Sequence, residues 1–200
     1  MTEAKLIVFV KQPEIGKVKT RLAKDIGEEK ALQIYKKLLK KTAELIEESH
    51  WPTFVYYKDQ IGKNDHFSIP WVIKKTQSEG DLGKKMHDAF VEVKEETEAD
   101  KIIIIGSDCY DLSLEHLEIA AQKLDNNDVV IGPSNDGGYY LLGLKSIYKK
   151  LFSGIKWSTP EVLDKTIEKC NSLGLKIDFI EQLIDIDTLD DLNSINHSSL

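Results

Sequence analysis

Four isoleucines in a row, residues 102–105, lie between Lys101 and Gly106. Unbroken β-branched runs suit a strand covered on both faces, because a strand with one wet face alternates apolar and polar residues. Such a strand needs helices above and below it, and the chain supplies them. Apolar runs at 6–10, 53–57, 71–75, 129–131, 139–144 and 175–180 alternate with amphipathic segments. Residues 28–49 place Leu32, Tyr35, Leu39, Thr42 and Ile46 at three- and four-residue steps, and residues 82–98 do the same with Met86, Ala89, Phe90 and Val93. Ser113 caps a helix running to about residue 124, with Glu115 near its positive end and His116 three positions on. Pro160 opens another that ends at Ser172, and a short helix follows Asp187-Thr188. The alternation predicts an α/β fold, a three-layer αβα sandwich around a mostly parallel sheet. The connection within 129–144 is too short for a helical crossover, so the sheet is expected to be mixed.

With 200 residues, 41% of them hydrophobic, the chain can bury a large core, and residues 1–200 are expected to form a single domain. No internal repeat or low-complexity linker is visible. No apolar run approaches the roughly 18 residues that cross a bilayer. The start leads into an apolar run too short for a secretory signal, so a cytoplasmic protein is expected. Two cysteines, Cys109 and Cys170, make neither a disulfide framework nor a metal-binding pair. The net charge of −7 argues against broad nucleic-acid binding but leaves room for a local basic pocket.

Ligands in open α/β sheets sit beyond the carboxyl ends of the strands, and three polar clusters lie there. The first, residues 11–22, carries Lys17, Lys19 and Arg21 beside Gly16. Its reading is either a solvated basic loop or a cradle for a di- or triphosphate; the glycine spacing excludes a P-loop. The second, Ser107-Asp108-Cys109-Tyr110-Asp111, follows the isoleucine run. A carboxylate there can hold Mg²⁺ or Mn²⁺ against phosphate oxygens. Asp111 fits a capping turn, and Asp108 is the better metal ligand. Cys109 reads as a packed thiol. In the third, Asp136-Gly137-Gly138 serves either as a hairpin turn or as the mouth of an acceptor pocket. Gly80 and Asp81 open a helix whose amides can touch a base or phosphate, although Asp81 fits a plain cap equally well. Asp185 and Asp187 alternate with isoleucines and can share a face, while Asp187 can also cap the last helix.

Together, Lys11-x-Pro13-x-x-Gly16-x-x-Lys19-Thr20-Arg21-Leu22, Gly80-Asp81-Leu82-Gly83, Gly106-Ser107-Asp108-Cys109, the segment from Gly132-Pro133 through Asp136-Gly137-Gly138-Tyr139 to Gly143, and Asp185-Ile186-Asp187-Thr188 resemble the radical-SAM/selenodomain-associated transferases of type one. That family is glycosyltransferase-like and belongs to the GT-A, nucleotide-diphospho-sugar transferase superfamily. The first motif and the last are also similar to phospholactate guanylyltransferase and to molybdenum-cofactor nucleotidyltransferases. Tyr110 stands where many relatives have proline. The resemblance implies a GT-A-like sandwich, a nucleotide donor and a divalent metal near Asp108.

The expectation is a metal-dependent, nucleotide-using transferase with an unidentified small-molecule acceptor. Gly16, Lys17, Lys19, Arg21, Gly80, Asp81, Gly137 and Gly138 contact the donor. Asp108, with Asp187, holds Mg²⁺ or Mn²⁺, and Asp136 serves the acceptor. Family labels favour a nucleotide-diphospho-sugar donor; the cation-rich first loop favours an NTP and nucleotidyl transfer with release of pyrophosphate. A nucleotide-binding regulator without turnover is the third reading.

Overall fold

A computed structural model describes residues 4–195. The elements run β1 (Lys5–Val10), α1 (Thr20–Ile26), α2 (Glu28–Ser49), β2 (Thr53–Tyr57), β3 (Val72–Thr76), α3 (Leu82–Thr97), β4 (Ile102–Ile105), α4 (Leu114–Lys123), β5 (Val129–Pro133), β6 (Tyr139–Leu144), α5 (Val162–Ser172), β7 (Ile177–Phe179) and α6 (Leu189–Ser194), with a 3-10 turn at Lys149–Phe152. The sheet has seven strands in the order β3-β2-β1-β4-β6-β5-β7. β6 runs antiparallel to β4 and β5; every other pairing is parallel. The mixed sheet is therefore the one the short 129–144 connection implies.

Strand periodicity divides the core. Leu6, Val8, Val55, Ile103 and Ile105 pack on one face with Tyr35, Leu39 and Ile46 of α2 and Leu117 of α4. Ile7, Phe54, Ile102 and Ile104 pack on the other with Met86, Phe90 and Val93 of α3 and Cys170 of α5. All four residues of β4 are buried, which is why no polar residue interrupts the run.

Two boundaries differ from the sequence reading. Residues 11–22 are not one loop, because the chain turns into α1 at Thr20. This seven-residue helix buries Leu22 against Ala31 and Leu38 of α2 and against Ile186 and Ile195. It is too short to display a helical period of its own. Pro160 precedes α5 rather than opening it, and its carbonyl packs beside Gly137.

β1 leads through α1 and α2 to β2 on one side, while β4 lies on its other side. The connections thus depart in opposite directions between the carboxyl ends of β1 and β4, where an open α/β sheet leaves a crevice.

Candidate active site

Tyr35 of α2 closes the floor of that crevice. Its hydroxyl accepts from the Lys11 amide at 2.9 Å, donates to the Lys11 carbonyl at 3.2 Å and lies 3.4 Å from Ser107 Oγ. It thereby ties the end of β1 to the turn after β4. Burial first, and then the charge of Asp108, push its pKa up to about 12, so the phenol keeps its proton. Above it opens a cavity of about 380 Å³. Arg21, Asp108, Asp136, Asp185 and Asp187 line its charged side, and Phe9, Leu82, Met86, Tyr139 and Trp157 its apolar side.

The three carboxylates 108, 185 and 187 meet because two backbone segments cross. The Ile186 amide donates to the Asp108 carbonyl at 3.0 Å, and Cys109 forms an isolated antiparallel bridge with Asp185. Ile186 is fully buried against α1 and α2, so the flanking Asp185 and Asp187 both turn toward the cavity. Thr188 and Asp191 cap α6 immediately afterwards, with the Asp191 amide donating to Thr188 Oγ1 at 3.2 Å. Asp187 is thus released from the capping role that its position also allowed.

Lys19 sits between two of these carboxylates. Its Nζ lies 2.6 Å from Asp108 Oδ1 and 3.1 Å from Asp187 Oδ1, and its side chain is 3% exposed. Burial opposes its charge, but the two carboxylates outweigh burial and raise its pKa. The residue holds a left-handed backbone (φ 49°) as the N-cap of α1, a conformation costly for a side chain other than glycine. Tertiary contacts hold it there.

The expected donor loop is therefore taken apart. Lys17 is exposed and paired with Glu14 at 2.6 Å, away from the main cavity. Lys19 is committed to Asp108 and Asp187. Arg21, in the first turn of α1, lines the cavity with Nη1 3.9 Å from Asp187 Oδ2. These separations follow from the turn before Thr20 and the helix after it, which send alternate residues in different directions. Gly16 makes the left-handed turn (φ 74°) before it and packs beside Glu28.

Asp81 takes the capping reading: its side chain accepts from the Lys84 amide at 2.8 Å. Gly80, with φ 117°, shapes that approach. Neither lines the cavity; Leu82 of the same turn does. Asp136 combines both of its readings. Its Oδ1 accepts from the Gly138 amide at 2.9 Å and from Ser134 Oγ at 2.5 Å, as a turn former does, and the same side chain lines the cavity. Gly137 serves packing: its φ is 85°, and a Cβ there would stand 2.2 Å from the Pro160 carbonyl oxygen. Gly138 lines the cavity. Cys109 is buried and its thiol pKa pushed up, first by burial and then by Asp185, so the packed-thiol reading holds.

Sequence reasoning left out several cavity residues. The helical spacing marks Tyr35 only as a core position, although its hydroxyl reaches both strand ends. Gln77 follows β3 and donates from Nε2 to the Tyr56 carbonyl at 3.2 Å. Trp157 lines the apolar wall, and its buried Nε1 has no hydrogen-bond partner among the described residues. Gly83 admits it, because a Cβ there would lie 2.3 Å from Trp157 Nε1. No local pattern marks these positions; they are assembled by the topology.

The acidic cluster suits a hard divalent cation. Asp185 is raised to about 7, first by burial and then by Asp108, Asp136 and Asp187 against the opposing Lys19. One buried ammonium thus leaves the cluster short of positive charge. No three His, Cys, Asp or Glu side chains among the described residues form a closed metal cage. An ion such as Mg²⁺ is commonly held by one or two carboxylates and the substrate's own phosphates, and Asp108 with Asp187 meets that pattern. No helix among the described residues is long and apolar enough to cross a membrane.

The chain has the nucleotide-diphospho-sugar transferase fold, and its likenesses are to nucleotide-using transferases. A protein of Desulfovibrio desulfuricans G20, provisionally assigned as a nucleotide-diphospho-sugar transferase, shares the fold with TM-score 0.87 and 32% identity, across 96% of this chain and 86% of that one. Residues 41–159 match the family described as an uncharacterized protein conserved in bacteria (DUF2064), and the chain belongs to that family. The 2-phospho-L-lactate guanylyltransferase of Methanocaldococcus vulcanius is 27% identical over 193 residues, covering 95% of this chain and 84% of the relative. Rv0371c of Mycobacterium tuberculosis H37Rv, solved in complex with manganese, has the same fold at TM-score 0.55 and 12% identity, over 96% of each chain.

Proposed function

We propose that this protein is a metal-dependent nucleotidyltransferase, guanylyltransferase-like, that takes an NTP and releases pyrophosphate. The observation that carries the reading is one cavity at the β1/β4 crevice lined both by Arg21, 3.9 Å from Asp187, and by the carboxylates 108, 185 and 187. A guanidinium beside hard oxygen ligands suits a charged phosphoryl centre. The likeness to the guanylyltransferase of Methanocaldococcus vulcanius supports the same chemistry.

In this reading an acceptor oxygen attacks the α-phosphorus, the bond to the β-phosphate breaks, and the electron pair leaves on pyrophosphate. Arg21 binds donor phosphate. Asp108 and Asp187 would hold Mg²⁺ or Mn²⁺, which would offset charge on the leaving group. Lys19 keeps those two carboxylates together. Asp136 orients or deprotonates the acceptor, and Gly138 leaves it room. Residues 1–200 act as a single nucleotide-binding domain, in the cytoplasm, on small molecules rather than nucleic acid. The radical-SAM/selenodomain subgroup rests on the motif resemblance.

Glycosyl transfer is the second reading, favoured by the likeness to the Desulfovibrio protein. A thermal-shift series with NTPs and nucleotide-sugars, each with and without Mn²⁺, separates the two, since a selective ligand raises apparent stability by mass action. The proposal expects a metal-dependent rise with an NTP. A rise with nucleotide-sugars alone overturns it.

A further inference from the structure

Lys11 and Lys58 stand side by side at the ends of two adjacent parallel strands. β1 and β2 pair through Val10 and Tyr57, and the Lys58 amide donates to the Val10 carbonyl at 2.9 Å, so the two lysines continue the register one step further. Neighbouring strands lie about 4.8 Å apart, and like charges set opposite one another repel. Several other lysines near the strand ends are paired: Lys17 with Glu14, Lys19 with Asp108, Lys74 with Asp65 and Lys75 with Glu92. Among the described residues neither Lys11 nor Lys58 has an anionic partner for its side chain.

Both lysines also line two cavities at once. One is the main cavity; the other is a smaller one of about 210 Å³, walled by Gln12, Glu14, Lys17 and Asp59. A hydrogen bond from the Gln12 side chain to the Gln60 carbonyl joins the two loops that enclose it. The two cavities thus share Lys11 and Lys58, neither of them ion-paired among the described residues, in a protein of net charge −7.

We propose that Lys11 and Lys58 form a clamp for the β- and γ-phosphates of an NTP, with the smaller cavity receiving the pyrophosphate end of the donor. The inference rests on the nucleotidyl-transfer reading and deepens it by naming the triphosphate tail as the feature recognised. Two neighbouring point charges are reconciled by one polyanion whose charge is spread over two phosphate groups. When the acceptor oxygen bonds to the α-phosphorus and the bond to the β-phosphate breaks, the electron pair appears on pyrophosphate, where the clamp stands ready to stabilise it. A nucleotide monophosphate leaves the clamp empty.

Calorimetry with Mg²⁺ on the wild type, Lys58→Ala and Lys58→Arg tests this, using GTP, inorganic pyrophosphate and GMP as probes. Lys58→Ala is expected to weaken GTP and pyrophosphate by about tenfold or more, the worth of a charged hydrogen bond. GMP affinity stays unchanged, and Lys58→Arg retains most of the binding. Equal loss for GMP and GTP, or no loss for GTP, overturns the clamp while a wild type that still releases pyrophosphate keeps the parent reading intact. A wild type that binds no NTP and releases no pyrophosphate overturns both.

Discussion

Replacing Lys19 by methionine keeps an apolar stem of nearly the same length and removes the ammonium group. The Lys19 side chain is 3% exposed, and its ammonium bridges Asp108 and Asp187 at 2.6 and 3.1 Å. Removing one member of a wholly buried ion pair costs about 3–5 kcal/mol, because the partner is left charged and unsolvated. Here the partner side chains are 34% and 42% exposed, so water recovers part of that loss. A cost of about 2 kcal/mol is expected, which in a domain of this size lowers the melting temperature by about 4–8 °C. Calorimetric melting in EDTA reads it directly. Mn²⁺ should then stabilise Lys19→Met more than the wild type, since the carboxylates no longer share their charge with an ammonium. Melting in EDTA indistinguishable from wild type, or equal stabilisation of both proteins by Mn²⁺, would refute the assignment of Lys19 as the resident counter-cation.

Three further outcomes follow from the same geometry. Asp108→Asn is expected to leave nucleotide binding measurable in EDTA and to abolish its enhancement by Mg²⁺ or Mn²⁺, because the amide keeps the shape and loses the charge a hard cation prefers; titration calorimetry with and without metal checks it. Asp136→Asn should keep the turn, since Asn accepts the same Ser134 and Gly138 contacts, and so hold the melting temperature. Turnover should fall by about 10²–10⁴-fold, and near-normal turnover would leave Asp136 as a turn residue. Gly137→Ala is expected to cost about 1–3 kcal/mol in urea unfolding, because φ is 85° and the new methyl would meet the Pro160 carbonyl.

The strands and long helices were legible because their side chains repeat. The α2 face of Tyr35, Leu39, Thr42 and Ile46 and the buried Ile102–Ile105 run report a periodic environment along a continuous stretch. α1 was not legible, since its burial is carried mainly by Leu22, whose partners Leu38 and Ile186 lie far along the chain. The same limit applies to the site. Asp108, Asp136 and Asp187 stand at strand ends or turns, where a carboxylate stands out against its neighbours, and the structure brings all three to one cavity. The partition of Lys17, Lys19 and Arg21 depends on the left-handed turn at Lys19 and on Ile186 docking beneath it. Neither leaves a mark in residues 11–22, where three cations in a row of alternating positions look equivalent. Trp157 and Tyr35 enter the cavity only because α3, α2 and the segment before α5 converge there.

The central claim is that the donor is an NTP cut between its α- and β-phosphates. ³¹P NMR of the protein with Mg²⁺, GTP, a nucleotide-sugar and small phosphorylated acceptors including 2-phospho-L-lactate tests it most directly. Pyrophosphate should accumulate in step with loss of GTP while the nucleotide-sugar persists. Accumulation of nucleoside diphosphate from the nucleotide-sugar, with GTP intact, would contradict it.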